Sequence, residues 1–300
     1  MAIVDARATA MRAAALGVAT ILALAWATAA QATLVRDDLG RDVRFDRPPL
    51  RVISLLPSIT ETVCALDACG RLVATDRYSN WPPQVGALPK AGGLDDAEIE
   101  LIVSLKPDLV LLSRSQRITD RLADLGIKTF ALNSDRYADI AHNIRVIGEI
   151  LGLDERARGL NESIAANVQS IAASAHRADS GTAPSVYFEV DTAPYAAGPA
   201  SFIGELLSQL GAHNIVSADL GAFPKLNPEY VVQHNPDVIF VSSSEAGHLA
   251  ARPGWASIRA VRERRFCSFS AEVEDTIVRP GPRVADGMRA LADCLERVSP

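Results

Sequence analysis

The residues of this 300-residue chain that could do chemistry form no catalytic motif. There is no G-x-S-x-G elbow, no P-loop and no G-x-G-x-x-G after a strand, and Ser, His and Asp are dispersed without recognisable spacing. The five histidines (142, 176, 213, 234 and 248) are scattered and no CxxC occurs, so no metal set is expected. Binding chemistry is better represented. "RYSNWPP" places Tyr78 and Trp81 among small polar residues just after an apolar run. "EVDTAPYAAGPASF" supplies Glu189, Asp191, Tyr195 and a Gly198 that permits close backbone approach, and Phe223 stands in a later loop. Such rings either stack on an apolar ligand face or pack as surface and core residues. Glu189 and Asp191 either cap, pair with arginine or face the ligand. Glu272, Glu274 and Asp275 gather before Arg279, and carboxylates in a cleft favour a cationic or metal-bearing ligand.

A second pattern concerns carboxylates that recur. "ELIVSLKPDLVLL" (100–112) and "EYVVQHNPDVIFV" (229–241) align without a gap, matching Glu100, Val103, Pro107 and Asp108 to Glu229, Val232, Pro236 and Asp237. Pro-Asp ends a helix and starts a strand, and a glutamate near a helix N-terminus is favoured by the helix dipole. "ITETVCALDACGRLV" also resembles "FIGELLSQLGAHNIV" with one insertion. The chain therefore carries an internal duplication at the scale of a lobe, too large for a solenoid repeat.

The elements that must position these residues alternate between short apolar strands and amphipathic helices. Strands are expected at 51–57, 71–76, 109–113 and 128–133, with a capping box Ser58-x-x-Glu61 starting a helix that runs to about Leu66. A helix over 139–152 follows. From Asp154 to about Asp179 apolar residues at Leu160, Ile164, Val168 and Ile171 predict one long amphipathic helix. The strand–helix rhythm then restarts with strands at 185–190, 214–216, 238–242 and 266–270, a helix closed by Gly211, and a final helix over 279–298. The expected fold class is α/β: two Rossmann-like lobes with parallel sheets (33–153 and 180–300) bridged by the single helix 154–179.

Composition sets further bounds. At 48% hydrophobic and 22% charged residues the chain can bury a sizeable core. A net charge of −6 with no Lys/Arg-rich run argues against nucleic acid or an anionic membrane as an electrostatic partner. Residues 1–32 read as a signal peptide: Arg7 and Arg12, the apolar stretch Ala13–Trp26, then Ala30-x-Ala32, with Thr33 as the mature start. No cysteine sits at the cleavage point, so a soluble, exported monomer is expected and not a lipid-anchored one. Export permits disulfides, and four cysteines allow three pairings. Cys64–Cys69 and Cys267–Cys294 are preferred because each pair falls within one half of the chain, the first requiring the helix to stop near Asp67.

With these elements in place, "RVISLLPSITETVCAL…VATDRYSNWPP…LPKAGG…IVSLKPDLVLL" resembles the Fe/B12 periplasmic-binding family, from about Arg51 to the C-terminus. The resemblance implies a helical-backbone (class III) substrate-binding protein of an ABC transporter and not an enzyme. Its ligand would be cobalamin or a related corrinoid, with haem or a ferric siderophore as the alternative, and no cofactor of its own. Tyr78, Trp81, Leu94, Glu189, Tyr195 and Phe223 would then line the cleft. Leu94 and Phe223 stand where cobalamin binders of this family tend to place tryptophans, and Glu189 where an aromatic is expected. For haem, Tyr78 or Tyr195 would be the axial candidate. The resemblance also gives the repeated glutamates a use: Glu100 and Glu229 would dock onto arginines of the two subunits of a membrane permease that works with an ATPase.

Overall fold

A computed structural model describes residues 32–115, 118–178, 183–191 and 195–298. The expected signal peptide lies outside the described residues, apart from Ala32.

The first strands are short apolar runs with no polar face. β3 (Val52–Ser54), β5 (Leu109–Ser113) and β6 (Thr129–Leu132) are buried on both sides, with β4 (Leu72–Thr75) beside them. Strands of this kind suit a parallel sheet covered by helices, and the four run parallel in the order β4-β3-β5-β6. In the second half β7 (Ser185–Asp191), β9 (His213–Asn214), β10 (Val238–Ser242) and β11 (Phe266–Phe269) run parallel in the order β9-β7-β10-β11. The two-residue β8 (Tyr195–Ala196) pairs antiparallel with β7. Counting only the parallel strands of each sheet in chain order, both run second-first-third-fourth, and the duplication read from the sequence is one of topology.

The repeated Pro-Asp has the same task in each sheet. Asp108 Oδ2 accepts from the N–H groups of Leu50 and Arg51, each at 2.9 Å, fastening the start of β3 to the start of β5. Asp237 Oδ2 does so for β7 and β10, accepting from the Ser185 N–H at 3.0 Å and its hydroxyl at 2.7 Å. Pro184 has no N–H to offer, and the serine hydroxyl makes the second bond in its place.

In sequence order the helices are α1 (Pro57–Ala65), α2 (Ile99–Ser104), α3 (Thr119–Asp124), α4 (Tyr137–Leu151), α5 (Asp154–Ala178), α6 (Phe202–Gln209), α7 (Pro228–His234), α8 (Arg259–Arg262), α9 (Ala271–Val278) and α10 (Val284–Val298). Gly152, in the left-handed region, separates α4 from the long α5. α5 packs against α4 on one side and α10 on the other. Its buried Ile164, Val168 and Ile171, with Leu160 at the margin, join an apolar core that continues from Val52, Leu111 and Phe130 to Val186, Phe240 and Leu291. The two lobes thus share one core along their helical side.

A hairpin of β1 (Thr33–Arg36) and β2 (Asp42–Phe45) precedes the parallel sheet of the first lobe and was not anticipated from the sequence. It lies beside β6, with the Asp38 N–H on the Ala131 carbonyl at 3.0 Å and Asp38 Oδ2 accepting from the Asn133 N–H at 2.6 Å. Both preferred disulfides are present, Cys64–Cys69 and Cys267–Cys294. The chain doubles back for the first at Asp67, whose φ is +58°.

Two local expectations are corrected. No capping box forms at Ser58-x-x-Glu61, because α1 begins at Pro57 with Leu56 at its N-cap. Glu61 therefore lies past the first turn and faces the other lobe. The final helix starts at Val284 and not at Arg279, since Pro280 and Pro282 hold 279–283 as a connector. That connector releases two arginines from the helix.

Candidate functional site

Ligands of parallel α/β sheets gather beyond the carboxyl ends of the strands, and a cavity of about 680 Å³ lies there between the lobes. From the first lobe it is lined by Leu56, Pro57 and Ser58 after β3, and by Arg77, Tyr78 and Asn80 after β4. Leu94 in the loop before α2, Ser113 and Ser115 at the end of β5, and Ser134 after β6 complete that wall. The second lobe contributes Phe202 at the start of α6, Phe223, and Ala271, Asp275, Val278, Arg279 and Pro280 along and after α9.

The Tyr78 loop rests on a buried polar network. Asp76 accepts from the Tyr78 N–H at 2.8 Å and from the Ser79 hydroxyl. Ser79 also reaches Thr60 at 2.8 Å, and Thr60 donates to Ser54 at 2.9 Å. Lys90 Nζ donates to Thr75 Oγ1 at 2.9 Å and to the Ser79 carbonyl at 2.7 Å. Burial pushes the Asp76 carboxyl above the usual range, only partly offset by bonds from Ser79 and the Tyr78 N–H and by the nearby Lys90 charge. Tyr78 itself remains 60% exposed: its backbone is fixed while its ring is free.

On the facing wall Phe223 packs against Phe202, ring centroids 6.4 Å apart. Its loop is held by hydrogen bonds from Gly198 N–H to the Ala222 carbonyl at 2.8 Å and from Ala196 N–H to the Pro224 carbonyl at 3.0 Å. A side chain on Gly198 would overlap the Gly221 carbonyl, so glycine is required for this approach.

Between the walls the lobes are joined by charge. Glu61 of α1 accepts from Arg283 at 2.6 and 2.8 Å and from Arg279 at 3.0 Å. These side chains are 3%, 15% and 10% exposed respectively. Arg279 also donates to Asn80 Oδ1 at 2.7 Å and pairs with Asp275 at 2.7 Å, while Asn80 donates to Asp275 at 2.9 Å. Arg283 lies over the Trp81 ring, 5.0 Å from its centroid. Burial, then the neighbouring Asp275 charge, raises the Glu274 carboxyl.

The structure brings Tyr78, Leu94 and Phe223 together on the cavity. Trp81 lies off it, against Arg283. Glu189 does not face the cavity: its buried carboxylate is bound by Arg252 at 2.6 and 2.8 Å and by the Tyr187 hydroxyl at 3.3 Å. Tyr195 is exposed on β8 outside the lining. Glu100 and Glu229 are both exposed second residues of short helices, α2 and α7. Each follows its lobe's lining residue at the same spacing, Leu94 to Glu100 and Phe223 to Glu229. The acidic cluster does not make an acidic cleft, because Asp275 is its single member on the cavity and is held by Arg279. Sequence reading missed the serines. A signal existed: "SRS" and "SSS" leave the third strand of each lobe, and Ser113–Ser115 and Ser242–Ser244 each form a hydroxyl pair at 2.9 Å.

Two parallel lobes sharing a long helix around a cleft are the helical-backbone, class III periplasmic binding protein fold. The family model described as periplasmic binding protein matches residues 52–272, and the chain belongs to that family, whose members bind substrates for transport and are not enzymes. Its relatives include an uncharacterized ABC transporter substrate-binding lipoprotein of Bacillus subtilis, 29% identical over 87% of this chain and 84% of the relative. A cobalamin-binding protein of Halobacterium salinarum is 27% identical over 86% and 72%. Among solved structures, the periplasmic heme-binding protein RhuT from Roseiflexus sp. RS-1 has a TM-score of 0.72 at 24% identity, covering 83% of this chain and 98% of its own.

Proposed function

We propose that this protein is the periplasmic substrate-binding component of an ABC importer, exported by cleavage after residue 32, and that it captures cobalamin or a related corrinoid between its lobes for delivery to an inner-membrane permease. The observation that carries this reading is the interlobe cavity. It sets Leu56, Tyr78 and Leu94 across from Phe202, Phe223 and Val278, with hydroxyls and arginines at its margins. Apolar walls with a few polar groups suit a large chelate that needs a surface to stack on and a rim to orient it. The cobalamin-binding relative supports the corrinoid. Units 33–153 and 180–300 act as the two walls and 154–179 as the stiff connector, so the opening motion is small.

The test is a binding panel of cobalamin, cobinamide, haem, ferric siderophores and free metal ions. Tight corrinoid binding is expected, weakened about tenfold by Tyr78→Ala or Phe223→Ala with little change in melting temperature. Tight binding of haem or a siderophore alone would replace the ligand, and turnover of a substrate with no tight binding would overturn the transport reading.

Glu100 and Glu229 are the docking residues in this reading. Exposed ion pairs add little affinity singly, but they set orientation and partner choice. Glu100→Ala with Glu229→Ala is expected to abolish transport in cells while leaving ligand binding intact, and loss of ligand binding in the purified double variant would contradict the assignment.

A further inference from the structure

Three helices open onto the cavity, through Pro57 and Ser58 of α1, Phe202 of α6 and Ala271 of α9. Two of them are capped by serine: Ser201 Oγ accepts from the Gly204 N–H at 3.0 Å, and Ser270 Oγ from the Val273 N–H at 3.5 Å. α1 differs. Its N-cap is Leu56, which has no side-chain acceptor, and Pro57 follows. The Ile59 and Thr60 N–H groups turn onto the Leu56 carbonyl, and the Ser58 N–H has no partner within the helix.

A second observation falls on the same residue. The Ser58 side chain is on the cavity lining, only 3% exposed, and its hydroxyl has no hydrogen-bond partner among the described residues. Leaving a buried hydroxyl unsatisfied costs about 1–3 kcal/mol, so Ser58 Oγ is available to a polar group that enters the cavity. The partial positive charge of a helix start favours an anion in that place. Arg77 and Arg279 line the same cavity as partners of Asp96 and of Asp275 and Glu61, so among the described residues the lining carries no unpaired carboxylate to repel an anion. Glu61, one turn further along α1, is committed to two arginines.

We propose that the α1 end of the cavity is an oxyanion subsite, in which the Ser58 hydroxyl and N–H donate to a carboxylate or phosphate carried by the ligand. This rests on the reading of the cavity as the ligand site and narrows it: the ligand bears a negatively charged oxygen group, and the site selects against its neutral forms.

The experiment has two arms. Inorganic phosphate is titrated into the protein while amide resonances are followed by NMR. Shifts at Ser58, Ile59 and Thr60 that saturate at millimolar phosphate are expected, with affinity reduced about tenfold in Ser58→Ala. That variant should be no less stable than the parent, because it removes an unpartnered hydroxyl. Ser58→Asp, which fills the subsite from the protein's own side, should abolish the phosphate shifts. In the second arm haem is compared with haem dimethyl ester, and cobalamin with cobinamide, which lacks the phosphodiester. A preference of about tenfold for the member of one pair that carries the carboxylate or phosphodiester anion, lost in Ser58→Asp, identifies that anion as the group recognised. Equal binding within both pairs, together with no phosphate shift at Ser58, would overturn the subsite and leave the transport reading standing. Failure of every chelate to bind while phosphate still shifts Ser58 would do the reverse.

Discussion

Glu189 and Tyr78 were both candidates from their side-chain chemistry, and their surroundings give them opposite roles. The Glu189 carboxylate is closed in by Tyr187 and by Arg252, which also holds Glu245 at 2.9 Å and lies 4.6 Å from the centre of the Trp255 ring. Burial, then the Glu189 charge, keeps the Tyr187 phenol above its ordinary range, so that it stays a donor. Hydrogen bonding to Glu189 holds the Arg252 guanidinium firmly protonated. Breaking a buried pair by removing one charge is costly because the other is left uncompensated. Glu189→Gln is therefore expected to destabilise the protein by about 3 kcal/mol in urea unfolding. The corresponding loss for Tyr78→Ala should lie within about 0.5 kcal/mol, as for an exposed side chain. A stable Glu189→Gln protein with weakened ligand binding would return Glu189 to the site. In the sequence the two residues look alike, each polar or aromatic at a strand's carboxyl end. The missing information was Arg252, 63 residues away from Glu189.

At the scale of elements, the loop after β4 shows what a buried carboxylate does for a binding wall. Asp76 fastens the Tyr78 backbone, but its ionised form is disfavoured by burial. Its folded value lies above the unfolded carboxylate value of about 3.9, so the folded state holds the proton more tightly. The stability linked to this proton is fully present below the unfolded value. It is lost as pH rises through the folded one. Asp76→Asn should therefore flatten the decline of unfolding free energy with rising pH in that window, measured by urea titration in acidic buffers. An unchanged slope would remove Asp76 from the account. Strand and helix positions were largely legible here, since β5, β7 and β10 follow from apolar runs bounded by Pro-Asp or Pro-Ser. The start of α1 was not. Ser58 and Glu61 have the spacing of a capping box, yet Pro57 begins the helix two residues earlier than that box requires and turns Glu61 toward two distant arginines. Local spacing could not reveal a partner more than 200 residues away.

For the whole molecule, the shared core on the helical side and the Glu61–Arg279–Arg283 cluster on the cavity side hold the lobes at two places. Glu61→Gln is expected to open the cleft, seen as a larger distance between spin labels on α2 and α7. It should also lower stability by about 3 kcal/mol, two buried arginines losing their anion. A double-mutant cycle with Arg283→Met should give a coupling of about 1–3 kcal/mol. A coupling near zero would mean that the core alone sets the lobe separation. The sequence by itself determined the duplicated α/β architecture and the long amphipathic helix, and it favoured, without fixing, the two disulfide pairings that form. Apolar periodicity, the repeated Pro-Asp and cysteine placement within each half are local or near-local signals. Tertiary structure alone decided which candidates meet: Tyr78, Leu94 and Phe223 on the cavity, Glu189 in the core, and Ser58 at an uncapped helix start. Those outcomes depend on contacts between the two lobes, and burial and pairing across such a boundary are properties of the packed chain, not of residue type and spacing.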